Sequence, residues 1–162
     1  HKAMIYFIIL LCTSLFFTTV PENMGYSITS PLYTHFTYMF AHANIVHLVV
    51  NMFVLYRMRH KVSVSLLCLG VVVATALSFL PFNYLGTTVG FSGVLFFLLG
   101  YITFERLTTK YRLINIAMVA VASVVGLWSG AFNTWLHISA FVAGVACLYL
   151  KYIWNEIMIR NK

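Results

Sequence analysis

In a chain of 162 residues, 62% hydrophobic and only 8% charged with mean hydropathy +0.93, there are too few charges to cover a water-soluble globule. Most of its surface must face lipid, so the composition predicts a polytopic membrane protein. The net charge of +7 comes from basic residues that punctuate apolar segments and form no aromatic-interleaved patch, which excludes nucleic acid as a partner.

The first apolar segment, Ala3 to Val20, is predicted to remain as a helix: no small-residue cleavage site follows it, and Pro21-Glu22-Asn23 opens a loop. The second helix is predicted over Phe36 to Tyr56. Beyond it, the uncharged runs 62–104 and 113–150 far exceed the ~20 residues a span needs, so each must fold back on itself. The turn signals are Pro81-Phe82-Asn83 with Gly86 and Gly90 in one, and Ser129-Gly130 with Asn133 in the other. Four further helices follow, over Val62 to Leu80, Phe91 to Phe104, Leu113 to Phe132 and Trp135 to Trp154. The expected fold is an all-α bundle of six transmembrane helices forming one domain over residues 1–162. Cys12, Cys68 and Cys147 sit in apolar runs, as packed free thiols rather than a disulfide framework.

Every Lys and Arg falls before the first helix, in the last turn of the sixth or beyond it, or in the second and fourth connections. By the positive-inside rule both termini are expected to be cytoplasmic, with the other three connections on the outer side; the small size suggests a bacterial inner membrane. The fourth helix is short for the bilayer, at about 21 Å against a hydrocarbon core of about 30 Å. Its outer end must stop at membrane depth, preceded by irregular backbone from Gly86 to Gly90. Such backbone is tolerated only inside protein or beside water, which predicts a wet pocket open to the exterior with Ser92 at its floor.

The chain contains no Asp, so neither an aspartyl dyad nor a Ser-His-Asp triad can form, and no H-E-x-x-H zinc motif occurs. Ser and His remain as the chemically capable groups, and ionisable groups inside a membrane are functional candidates by default. On a continuous helix His47 and Asn51 lie about 40° apart, whereas His42 points about 140° away from His47. His42 is therefore expected to anchor the first loop by hydrogen bonds. That angle also argues against a zinc site built from His42, His47 and His137. His137, near the outer start of the sixth helix, is expected at the depth of Ser92. His35 and His60, in or beside loops, are expected to be solvated. Each polar residue could separately be interhelical packing, but their convergence from three helices on the outer half points to chemistry.

Three motifs lie in order along the chain: His42-x4-His47-x3-Asn51, Gly90-Phe91-Ser92-Gly93, and His137 with Gly144 seven residues later. Together they resemble the rhomboid intramembrane serine proteases over nearly the whole chain. The resemblance implies a six-helix rhomboid-like bundle in which Ser92 is the nucleophile and His137 its general base, a dyad that needs no carboxylate, metal or cofactor. It implies an oxyanion hole from His47, Asn51 and the Ser92 N–H, and transmembrane protein substrates within the lipid bilayer. Phe96 stands where the family often has Tyr and would stack on the base. Ala140 and Leu136 stand where Gly and Ala are usual, so a slightly looser fit between the fourth and sixth helices is expected, with Ala140 and Gly144 as the small-residue face. A catalytically silent rhomboid-like protein that binds membrane clients is the alternative; a transporter or channel would need charged spans or inverted repeats, and the sequence offers neither.

Overall fold

In the computed structural model, which describes residues 2–83, 86–129 and 133–160, the predicted apolar segments form helices α1 (Lys2–Thr18), α4 (Ile45–Met58), α5 (Val64–Ser78), α6 (Ser92–Arg106), α7 (Thr109–Ser129) and α8 (Thr134–Arg160). The first connection adds single turns α2 (Pro21–Met24) and α3 (Thr34–Thr37) and a 3-10 turn, Tyr38–Phe40; a second 3-10 turn covers Pro81–Asn83. The chain is thus an all-α membrane bundle. Polar side chains fix where several helices start. Asn44 accepts from the His47 N–H at 2.9 Å, Ser63 from Leu66 at 3.2 Å and Asn133 from Leu136 at 3.1 Å, each relieving one orphan amide of a first turn.

Four boundaries differ from expectation in instructive ways. The second predicted helix is broken: Thr34–Phe40 and α4 meet at 87°, with Ala41 and Asn44 extended between them. The Asn44 side chain offers the backbone a cap in place of a continued helix, and the helix begins after it. The fifth helix starts earlier than Leu113, at Thr109, and the predicted end at Phe132 lies outside the described residues. The sixth continues past Trp154 to Arg160, since charge ends the hydrocarbon match without ending a run of good helix formers. Finally, the fourth segment is not alone in being short. The helices α4, α5 and α6 have 14, 15 and 15 residues. At ~1.5 Å per residue each falls short of a core of about 30 Å. Among the described residues only α7 and α8 are by themselves long and apolar enough to cross, with the bent pair ending in α4 as a third candidate span.

The centre is α6, whose buried residues run almost all round it: Gly93, Val94, Leu95, Phe97, Leu98, Gly100, Tyr101, Ile102 and Thr103. It packs most extensively on α8. A Cβ on Gly100 would overlap the Phe141 carbonyl, and one on Gly144 the Phe97 carbonyl, so the two backbones touch where only hydrogen fits. Against this seam α7 is a thin outer wall, with Gly126 its one buried position among the described residues. It is tied at one end, where Arg112 donates to the carbonyls of Thr103, Phe104 and Leu107 and Asn115 to the Thr103 hydroxyl. Cys12 is buried and Cys147 partly so, whereas Cys68 is exposed.

The two ends of the bundle differ in chemistry. At one, the ring of Tyr6 meets that of Tyr56 at 6.3 Å, and Lys151 and Arg106 both engage Glu105, at 2.7 and 3.0 Å. This is the basic end. At the other, the first, third and fifth connections meet: Tyr26 and Thr88 exchange backbone hydrogen bonds of 3.1 and 2.9 Å, and Gly90 donates to the Tyr38 carbonyl at 2.8 Å. The irregular stretch ahead of α6 is therefore satisfied by the first connection, as lipid-depth backbone must be.

Candidate active site

Ser92 is the first residue of α6, and the stretch before it explains its exposure to the site. Gly90 has φ +115°, a conformation that disfavours a side chain. Space forbids one too, since a Cβ there would lie 2.5 Å from His47 Cε1, 2.6 Å from His47 Nε2 and 3.4 Å from Asn51 Nδ2. The backbone thus passes directly under the two polar residues of α4 before turning into the helix. The N-cap, Phe91, offers no side-chain acceptor to the first-turn amides, in contrast to the capped starts of α4, α5 and α8. With its hydroxyl at that uncapped start, Ser92 sits in the positive end of the α6 dipole.

His137 lies one turn into α8, and its Nε2 is 2.7 Å from Ser92 Oγ. The ring is 7% exposed and lies parallel to that of Phe96, with centroids 4.3 Å apart. Phe96 follows Ser92 by one turn of α6, so a single helix presents both the hydroxyl and the platform that orients the imidazole. The α6–α8 spacing that brings the pair together is set by Gly144 and by Ala140, which is fully buried. The looser fit expected from Leu136 is not found. Its side chain lies 3.3 Å from where a Cβ on Gly93 would stand, filling the space that a smaller residue would leave.

His47 and Asn51 share a face of α4, as their spacing predicts. Asn51 is 4% exposed, and its Nδ2 has no hydrogen-bond partner among the described residues: a buried donor without an acceptor, close to the Gly90 backbone. His42 corrects the helical-angle argument. It stands in the break before α4, fully buried, and its ring meets that of His47 edge-on at 5.1 Å. It packs behind His47 and keeps a backbone partner, Phe40, in the first connection. The reason given against zinc therefore fails; independently, no three His, Cys, Asp or Glu side chains gather as metal ligands among the described residues. The expectation for His35 is also overturned. Only 4% exposed, it is sandwiched between Tyr26 and Phe79 with centroids at 5.1 and 3.9 Å, and its Nδ1 is 2.8 Å from Ser78 Oγ. Aromatic neighbours from other segments bury it. His60 is exposed, as expected.

One residue read only as a turn signal proves central to placing the site. Asn133 Nδ2 donates to the Asn83 carbonyl at 2.7 Å, the Thr88 hydroxyl at 3.0 Å and the Tyr26 hydroxyl at 3.1 Å, while its Oδ1 caps α8. It ties the start of the His137 helix to the segment leading to Ser92. The signal available was an Asn immediately ahead of an apolar helix. Its partners, distant in sequence, left no trace there.

Ser92 opens into a cleft of about 700 Å³ bounded by α4, α6 and α7, which runs from Asn51 and Phe96 to Arg57 and Lys61 at the basic end. This cleft runs along the wall of the bundle. Because α7 is held chiefly at its basic end, the wall between it and α4 is left unfilled.

The family model for the Rhomboid domain matches residues 29–154, which takes in α4 to α8 as far as Trp154 and every residue placed in the site above. A comparison with curated proteins gave no match.

Proposed function

Since the chain belongs to the rhomboid family, we propose that it is an intramembrane serine protease that cleaves transmembrane segments with Ser92 and His137. The observation that carries this reading is the 2.7 Å approach of His137 Nε2 to Ser92 Oγ at an uncapped helix start. With the imidazole proton on Nδ1, Nε2 takes the hydroxyl proton as Oγ attacks the scissile carbonyl. The negative charge that develops on the carbonyl oxygen is met by the Ser92 N–H, the unpartnered Asn51 Nδ2 and His47. Collapse of the tetrahedral intermediate passes the proton from Nε2 to the leaving amine and leaves an acyl ester on Ser92. Water then attacks that ester, giving its proton to Nε2, which returns it to Ser92 Oγ as the acid is released. Phe96 does the orienting that a carboxylate performs in a triad, by fixing the plane of the ring.

An intact helix hides its carbonyls in axial hydrogen bonds, so the substrate must unwind locally before attack, and metastable segments with Gly or Pro near the scissile bond are favoured. The one-sided distribution of Lys and Arg supports cytoplasmic termini with Ser92 nearer the outer face, and the small size supports a bacterial inner membrane. The test is labelling with a serine-directed fluorophosphonate and cleavage of a reconstituted transmembrane substrate. Labelling and turnover should vanish in Ser92→Ala, turnover should vanish in His137→Ala, and the double variant should be no worse than either single one. Cleavage that survives Ser92→Ala overturns the proposal, and a folded wild-type protein that neither labels nor cleaves points to the silent, client-binding reading.

A further inference from the structure

Past the catalytic end the cleft changes character. Val54, Met58, Leu99, Ile102, Ile114 and Met118 make an aliphatic trough between α4, α6 and α7, and its far mouth is marked by Arg57 and Lys61. Several neighbouring cations are engaged elsewhere. Arg106 and Lys151 share Glu105, Arg59 lies 3.8 Å over the Tyr56 ring, and Arg112 holds backbone carbonyls. Arg57 and Lys61, both exposed, have neither an ion pair nor a side-chain hydrogen bond among the described residues. These two uncommitted cations, the ones that line the cleft, stand above a trough of aliphatic side chains and complement an amphiphile with an anionic head and a hydrocarbon tail.

We propose that this lower cleft binds an anionic phospholipid from the leaflet at the basic end, its phosphate between Arg57 and Lys61 and one acyl chain lying along the trough toward Ser92. The aliphatic walls of the trough match a hydrocarbon chain along its length. A free phosphate would use the cations but leave the aliphatic walls without a role. The site is a binding site in its own right, and its readout does not depend on the protease reading.

The test places a reporter in the trough. Met118→Trp protein is reconstituted in phosphatidylcholine vesicles containing brominated phosphatidylglycerol or, at equal mole fraction, brominated phosphatidylcholine. The brominated anionic lipid should be preferred as quencher on the order of ten-fold in effective affinity. That preference should disappear in Arg57→Gln/Lys61→Gln, and Val125→Trp, exposed on α7 outside the cleft, should show none. Equal quenching by the two lipids, or a preference that outlasts removal of both cations, overturns the proposal. Relief by soluble glycerol phosphate would identify a free phosphate as the ligand, and relief by a transmembrane peptide without any head-group preference would identify a helix; either result also overturns it. Should the Trp variant fail to fold, native mass spectrometry of protein extracted from equimolar phosphatidylglycerol and phosphatidylcholine serves instead. Wild type should retain phosphatidylglycerol and Arg57→Gln/Lys61→Gln should not, whereas retention of neither lipid or of both alike refutes the site.

Discussion

The α6–α8 seam and the α4–α7 side of the bundle are built from equally apolar sequence and yet do opposite things. At the seam, glycines at 100 and 144 let backbone meet backbone, so the helices have one register. Across the bundle, α7 carries bulky exposed residues such as Val121 and Trp128 and leaves a cleft beside α4. Lipid is as apolar as Leu, so hydrophobicity cannot drive helix pairing in a bilayer; close packing decides it. The rigid side holds Ser92 and His137 in hydrogen-bond contact, and the open side leaves the space that a substrate or lipid needs. A dyad tolerates little misplacement, whereas a way in from the membrane requires a wall that is not filled.

Overfilling the seam is the strongest way to break that contrast. Gly144→Val places a branched side chain into the Phe97 carbonyl, with no flexible neighbour to yield. We expect a loss of about 3 kcal/mol or more in stability, read from melting in detergent, together with loss of turnover. A variant that melts with wild type and still cleaves would show that the seam does not set the dyad.

How far the sequence revealed this arrangement depends on the range of each interaction. Apolar runs bounded by charges and by Pro81 or the Gly86–Gly90 stretch located the helices, because those signals are local. Helical period alone put His47 and Asn51 on one face, and Phe96 one turn from Ser92. The break at Ala41–Asn44 was hidden by an unbroken uncharged run, its only mark being an Asn three residues before His47. Burial of His35 depends on Tyr26 and Phe79, and the role of Asn133 on Tyr26, Asn83 and Thr88; none of these pairings has a sequence period. Gly100 looked like any apolar-helix glycine until Phe141 was found against it.

The next largest effect should come from the open side. Asn51 stands on α4, across the site from the seam, with an unsatisfied buried amide. If that amide meets the oxyanion, Asn51→Ala lowers kcat on the order of 10- to 1,000-fold with little change in KM and no loss of melting temperature. Removing an orphaned donor costs the ground state nothing. A defect confined to KM, or a stability loss matching the kinetic one, would make Asn51 packing.

Smaller again is the expected cost at the junction of the two sides. Asn133→Ala removes the α8 cap and three donated bonds, for about 1–2 kcal/mol in stability and a fall in kcat as the start of α8 loosens. Asn133→Asp separates the two roles. A carboxylate still accepts from Leu136, and the Thr88 and Tyr26 hydroxyls can turn to donate to it, but it cannot donate to the Asn83 carbonyl, so it should keep the cap and lose the Asn83 tie. If Asp restores full turnover, the bond to Asn83 is not what holds the start of α8.

The smallest effect is expected on the outer wall, and a matched pair of substitutions measures it. Val94 on α6 is fully buried, and a Cβ on Gly70 would lie 3.2 Å from its Cγ1; Val121 on α7 is 63% exposed. Val94→Ala removes packed methyl groups and leaves a void between α5 and α6, for about 1–3 kcal/mol. At Val121 the lost methyl contacts are with lipid, which flows into the space, so Val121→Ala should stay within about 0.5 kcal/mol of wild type. Equal losses at the two positions would mean that α7 is packed as tightly as α5 is against α6, and the cleft between it and α4 could not then remain open in the membrane.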